Sequence, residues 1–404
     1  MNYLDALAAD AGDDSELLHE LAGAYLAIGD VQGDQSTANL NDFRGALASY
    51  EKARRLLVRA FELKPQDVGA RRALALAYNK IGDAEHALER LEPAQHAYEQ
   101  ALRVIDALAK EIPGDSRVQD DLATTHERLG VMARRFNRLA EAEQHFRTTL
   151  RISEQLLAES PEDPSRLRGR ATVFTKLAEL HYQRGDRETA QRYYERFTET
   201  ANRLAAADPA NMVYRTDQMI GEQWVGIIRL ESGDAQGAID PLRRSIAEAR
   251  SLLDEDPTVR RARIALTASL TRLGEALLAT DQLDEARSTF EELLAATGAD
   301  HAANPDDLTF ARRFAVSHYK LAEYHERLAG SNDAAAPARR DHLQKRLRHL
   351  EQCRAVFVEL RQRGTLSVGD AGVPEELAAE IDAVRAALAA AASRPATASD
   401  TERD

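Results

Sequence analysis

The chain has little of what most site chemistry requires. Its single cysteine, Cys353, excludes an internal disulfide and any cysteine-based zinc cluster. Aromatic residues make up 5% of the composition, with Trp224 the one tryptophan, and 404 residues hold only 21 glycines and 12 prolines. Against that scarcity stands an abundance of Ala, Leu, Glu and Arg, a composition that favours helix almost throughout and requires no strand. No apolar run approaches the roughly 20 residues that cross a bilayer. Met1, Asn2, Tyr3, Leu4 and Asp5 do not open a secretory signal, so the expected compartment is the cytoplasm. Basic residues number 53 against 67 acidic ones, a formal charge of -14. That balance disfavours nucleic acid and anionic membrane unless a local basic stripe opposes it, and leaves proteins or peptides as the expected partners.

The chain repeats itself every 48 residues. Proline recurs at Pro65, Pro113, Pro161, Pro209, Pro257 and Pro305. An alanine column runs Ala46, Ala94, Ala142, Ala190, Ala238 and Ala286, and four residues after each alanine comes Tyr50, Tyr98, Phe146, Tyr194, Leu242 or Phe290. A third column is a small residue behind an apolar one: Gly82, Gly130, Ala178, Gly226, Gly274 and Ala322. Fixed columns with variable residues between them mean one supersecondary unit stacked many times. Each unit reads as two helices joined near Asn137, Gly185, Gly233 and Asp281, with the proline closing the second. An alanine and a large residue four later share a helix face, so the small one admits close approach while the large one fills a groove.

These columns resemble the tetratricopeptide repeat. The likeness lies in the small residue of the first helix, an aromatic-like residue four before it (Tyr25, Tyr78, His126, Phe174), and then alanine, aromatic and closing proline. Gly130 and Phe146 show the family's spacing of 16 between small residue and aromatic. The family unit has 34 residues, so each helix here is expected to be about two turns, roughly 10 Å, longer. The resemblance implies an all-α, right-handed α-solenoid of elongated helical hairpins.

The expected organisation is a helical segment over 1–13, seven hairpins over 14–362, a linker and capping helix over 363–392, and a disordered tail over 393–404. The first hairpin is expected to carry a five-residue insertion between Asp30 and Asn41, and the last a loop from Gly330 to Ala336. Pro241, inside a second helix, is expected to kink it.

The N-terminal stretch carries a narrower resemblance. Tyr3-Leu4-Asp5-Ala6-Leu7-Ala8, then Ile28-Gly29-Asp30-Val31-Gln32-Gly33, and Gly45-Ala46-Leu47-Ala48-Ser49-Tyr50 resemble the start of the repeat region that follows the catalytic domain in bacterial eukaryotic-like serine/threonine kinases. The implication is a regulatory or substrate-docking module, outside the cytoplasm if a membrane span precedes it. The sequence contains no Gly-rich phosphate loop, His-Arg-Asp or Asp-Phe-Gly, and Asp42-Phe43-Arg44-Gly45 mimics the last by chance. Nor is there a Gly-Lys-Ser/Thr or His-Glu-x-x-His motif. The chain is therefore not expected to be an enzyme, and no cofactor is implied.

One residue before the packing apolar residue of each first helix lies a column reading Lys80, Arg128, Lys176, Trp224, Arg272 and Lys320, with Asn79 and Tyr319 adjacent. In the resembling family this side of the first helix lines the concave groove, and the implication is that these residues hold an extended peptide with an acidic segment. Five cations in an acidic protein would focus an attractive field there, with Trp224 as an apolar anchor. The competing reading has each cation paired with local acids such as Glu127, Glu179, Glu275 and Glu323, contributing ~0–1 kcal/mol, and Trp224 packing between repeats. Among remaining candidates, His342, His349 and Cys353 share a face of a late helix, and imidazole and thiolate ligate zinc. Three such groups along one helix span about 16 Å, which fits a half-buried helix face rather than one ion. His181, His318 and His325 stand where the repeat places packing residues.

Overall fold

The computed structural model describes residues 2–34, 39–330 and 336–393, and among them all regular structure is helical. The chain divides into two compact units, 1–200 and 201–404. The N-terminal unit contains α1 (Asn2–Asp10), α2 (Ser15–Gly33), α3 (Phe43–Leu63), α4 (Val68–Ala87), α5 (Leu91–Glu111), α6 (Ser116–Arg135), α7 (Leu139–Glu159) and α8 (Pro164–Gln183), and most of α9 (Arg187–Ala207). The C-terminal unit contains α10 (Met212–Glu231), α11 (Ala235–Glu255), α12 (Arg260–Ala279), α13 (Leu283–Ala303), α14 (Leu308–Ala329), α15 (Ala336–Gln362) and α16 (Val373–Ser393), with a 3₁₀ turn at Val368–Asp370. The sequence-predicted insertion lies partly, and the 330–336 loop and the tail almost wholly, outside the described residues.

Within each unit consecutive helices pack on one another, and α16 packs on α15. The repeat columns are the core. Every alanine of the second-helix column is buried, as are Tyr50, Tyr98, Phe146, Tyr194, Leu242 and Phe290. The first-helix glycine is the counterpart of that large residue within the same hairpin. A Cβ added at Gly130 would stand 2.6 Å from Phe146 Cε1, and at Gly226 2.5 Å from Leu242 Cγ, so the small residue is a steric requirement of the helix contact.

The helix ends repeat as well. Two residues beyond each closing proline, Asp67, Asp115, Asp163, Asn211 and Asp307 cap the next first helix by accepting from its backbone N–H groups. Val259 occupies that position before α12 and offers no such bond. Val259→Thr keeps a methyl against the neighbouring core and adds an acceptor oxygen. It is expected to stabilise the C-terminal unit by about 0.5–1 kcal/mol, read as an increase in urea midpoint at unchanged slope.

Between the helices of a hairpin the chain passes through the left-handed region at Glu89, Asn137, Gly185, Gly233 and Asp281, with φ from 58° to 89°. α11 continues through Pro241. The carbonyl of Gly237, four residues earlier and deprived by the proline of its helical donor, accepts Arg229 Nη1 at 3.1 Å.

Candidate functional site

In the N-terminal unit, two cations of the first-helix column reach one repeat back. Lys80 on α4 bonds Asp30 at 2.9 Å and Asp34 at 2.5 Å, and Asp30 Oδ1 also accepts Tyr50 Oη–H at 2.9 Å. Arg128 on α6 grips Asp83 with Nε and Nη2 at 2.8 and 2.7 Å, and Asp83 accepts Tyr98 Oη–H at 2.8 Å. The result is a cation–carboxylate–phenol chain at each of these two positions. Burial opposes the charge of Lys80, and the two aspartates outweigh it, leaving its pKa raised. Burial, reinforced by Asp83, drives the Tyr98 phenol upward and keeps it a donor.

Lys176 on α8 breaks the pattern. The residue 48 after Asp83 is Val131, and the phenol is replaced by Phe146. Among the described residues Lys176, half-buried, has no ion pair. Asn79 is buried and donates from Nδ2 to Thr125 Oγ1 at 2.9 Å on the next first helix, while its Oδ1 is buried without a hydrogen-bond partner.

In the C-terminal unit, Trp224 is half-buried on α10. Arg272 on α12 lies 3.0 Å from Glu275 and 3.6 Å from Glu231, while Lys320 on α14 lies 2.7 Å from Glu275 and 2.8 Å from Glu323. Tyr319 donates to Glu380 on α16 at 3.3 Å, and burial followed by the Glu380 charge lifts its phenol to about 12. Arg272 and Lys320 border an open cavity of about 700 Å³ between α12, α14 and the segment before α16. Leu308, Val316, Leu360 and Leu366 form its apolar wall. Arg312 and Arg313 also border it. Neither belongs to the sequence-predicted column: they lie eight and seven residues before Lys320, and the position of Arg313 is held by Ala73, Asp121, Gly169, Asp217 and Ala265 in other repeats.

The late histidines do not converge on Cys353. His349 Nδ1 faces His318 Nδ1 at 3.0 Å and His342 Nδ1 faces His325 Nδ1 at 3.2 Å, each pair joining α15 to α14. Cys353 lies in the core beside Leu350 and Leu377, where burial pushes its thiol up to about 12. A third pair, His126 and His145 at 2.9 Å, joins α6 to α7. His181 contacts Asp186 at 3.1 Å. Among the described residues no group of three His, Cys, Asp or Glu side chains is arranged to hold a metal ion. No described helix is long and apolar enough to cross a membrane.

Tetratricopeptide-repeat family models match residues 75–106, 122–164, 173–201 and 268–296. The chain is similar to the solved structure of BtubC (BKLC) from P. vanneervenii at 20% identity, covering 67% of this chain and 95% of that one, with a TM-score of 0.49. A signal-transduction ATPase with a tetratricopeptide repeat sensor from Pyrococcus horikoshii is 13% identical over 93% of this chain and 54% of that one, with a TM-score of 0.48. The solved structure of YrrB, described as a TPR protein with an unusual peptide-binding site, is 16% identical over 65% of this chain and 96% of its own, with a TM-score of 0.33. No curated protein matches the chain in sequence.

Proposed function

We propose that this chain, a tetratricopeptide-repeat protein, is a protein-interaction scaffold that takes an acidic peptide segment along its first helices. Tetratricopeptide repeats bind proteins or peptides, and the cavity of the C-terminal unit carries the finer reading. An otherwise acidic molecule places four cations, Arg272, Arg312, Arg313 and Lys320, around an open hollow with a leucine-rich wall. Such a surface suits an acidic side chain next to an apolar one. In the N-terminal unit Lys176 is the candidate contact, since its charge is not engaged by a carboxylate, whereas Lys80 and Arg128 would have to leave theirs. Asn79 holds α4 to α6 through its Nδ2 bond to Thr125. Trp224 and Tyr319 remain candidate contacts of the C-terminal unit.

Two variants test this without breaking an ion pair. Thr309→Glu adds a negative charge at the cavity rim, in the first turn of α14 where a carboxylate favours the helix, and Lys176→Glu reverses the free cation. Against an immobilised library of acidic and neutral peptides, Thr309→Glu is expected to weaken retention of acidic peptides about tenfold, the effect of ~1.4 kcal/mol. Lys176→Glu should shift their salt dependence. Unchanged retention and salt dependence in both would place the binding surface elsewhere. The alternative, a docking module of a bacterial serine/threonine kinase, draws on the resemblance at Tyr3–Tyr50, and the size of the native polypeptide on an immunoblot separates the two.

A further inference from the structure

Two imidazole pairs cross from α14 to α15 in one register. His318 and His325 stand seven residues apart on α14, His349 and His342 seven apart on α15, and their Nδ1 atoms face one another at 3.0 Å and 3.2 Å. Packing alone does not call for these rings. The residues 48 before His318 and His325 are Leu270 and Leu277, both buried in the core of the preceding repeat. The later repeat thus places polar rings where leucine suffices, and carries the cost of taking them out of water. The separation also has a second meaning: two nitrogens each bonded to one zinc-class ion lie about 2.9–3.4 Å apart at angles between octahedral and tetrahedral. The pairs differ in their surroundings. His318 is buried and meets the Phe314 ring edge-on at 4.8 Å between centroids. His342 is half-buried beside the exposed Asp341, whose charge acts on both His342 and His325. Asp341 holds Lys345 at 2.7 Å, an exposed ion pair that stabilises little and can open. A third imidazole, His349, stacks on His325 at 5.8 Å.

We propose that His325 and His342 form a clip for one divalent ion of the zinc, nickel or copper class, held through Nδ1 of both rings, with Asp341 supplying negative charge and water the remaining ligands. Imidazole nitrogen suits these ions, whereas magnesium and calcium take oxygen. Two protein nitrogens make an exchangeable site rather than a closed structural one. An ion bound there joins α14 to α15 and stabilises the last hairpin in proportion to its occupancy. The spacing of histidines along α15 does not mark the clip, because its second ligand comes from α14.

The test titrates the full chain, stripped of metal with EDTA and then freed of the chelator, with Zn²⁺ in a calorimeter at neutral pH, and with Mg²⁺ as the oxygen-seeking control. His342→Asn should weaken the tightest Zn²⁺ site at least tenfold. Asp341→Lys, an exposed substitution that keeps both rings and so serves even if His342→Asn folds poorly, should weaken it about three- to tenfold. His145→Asn removes one ring of the His126–His145 pair and should leave that site unchanged. Zn²⁺ should also raise the urea midpoint of the wild type, followed through Trp224 in the same unit, and leave that of His342→Asn where it was. Absence of Zn²⁺ uptake by the wild type would overturn the proposal. So would equal affinity in wild type, His342→Asn and Asp341→Lys, which would make the bound ion adventitious. A loss confined to His145→Asn would place the ion at the other pair, and Mg²⁺ binding as tightly as Zn²⁺ would exclude nitrogen ligands; either result also sinks the assignment.

Discussion

Replacing Phe146 with alanine is expected to cost the N-terminal unit about 3–5 kcal/mol of stability. Phe146 is fully buried among Ala133, Ala142, Val173, Leu177 and Leu180, and its ring edge lies against Gly130. The void left by its ring is bounded by two helices whose approach is set by the remaining contacts, so collapse can recover only part of the loss. Gly130→Ala supplies the contrast. It gains about 1 kcal/mol of helix propensity, but its new methyl would overlap a ring that has few places to go, at about 1–3 kcal/mol. Combined with Phe146→Ala, the same methyl enters the vacated space, and the double variant should cost less than the sum of the singles. Urea denaturation followed by circular dichroism reads all three. A loss below about 1 kcal/mol for Phe146→Ala would mean that the small–large contact does not hold the hairpin together.

The contact of Gly130 with Phe146 was legible in the sequence because it recurs at fixed spacing and depends on size alone. Helical class and repeat architecture follow from the same columns. The state of the groove residues was not legible, since it depends on a second column. Lys80 and Arg128 find Asp30 and Asp83 one repeat back, while the corresponding partner of Lys176 is Val131. Reading the acidic column beside the basic one would have exposed that difference. Asn79 went inward because Thr125, 46 residues on, offered an acceptor inside the stack. Glu89 adopts φ 58° where other repeats use glycine, asparagine or aspartate, so the turn is imposed by its flanking helices rather than by local preference. Arg313 breaks the repeat, since the residue 48 before it is Ala265.

Lowering the pH from 7 to 5 is expected to destabilise the C-terminal unit by about 2–4 kcal/mol, through histidines that sequence alone marked only as packing residues. His318 and His325 are buried between α14 and α15, and their pKa values fall from 6.5 to about 4, chiefly through burial and then through His349, with His342 adding to the effect on His325. Lys345 pushes His325 in the same direction and Asp341 opposes it. In each pair one neutral imidazole donates to the other, an arrangement that a second proton would replace with two donors face to face. A base held below its unfolded pKa contributes stability that is fully present above about pH 6.5 and is lost as the pH falls toward the folded value. Asp300, whose pKa is raised by burial, works in the opposite direction, so the net slope is the discriminating quantity. Urea midpoints at pH 7, 6 and 5, followed by the fluorescence of Trp224 in the same unit, should fall steadily in the wild type. In His318→Leu combined with His349→Leu one titrating pair is gone and the slope should be roughly halved; equal slopes would assign the acid sensitivity to the carboxylates instead.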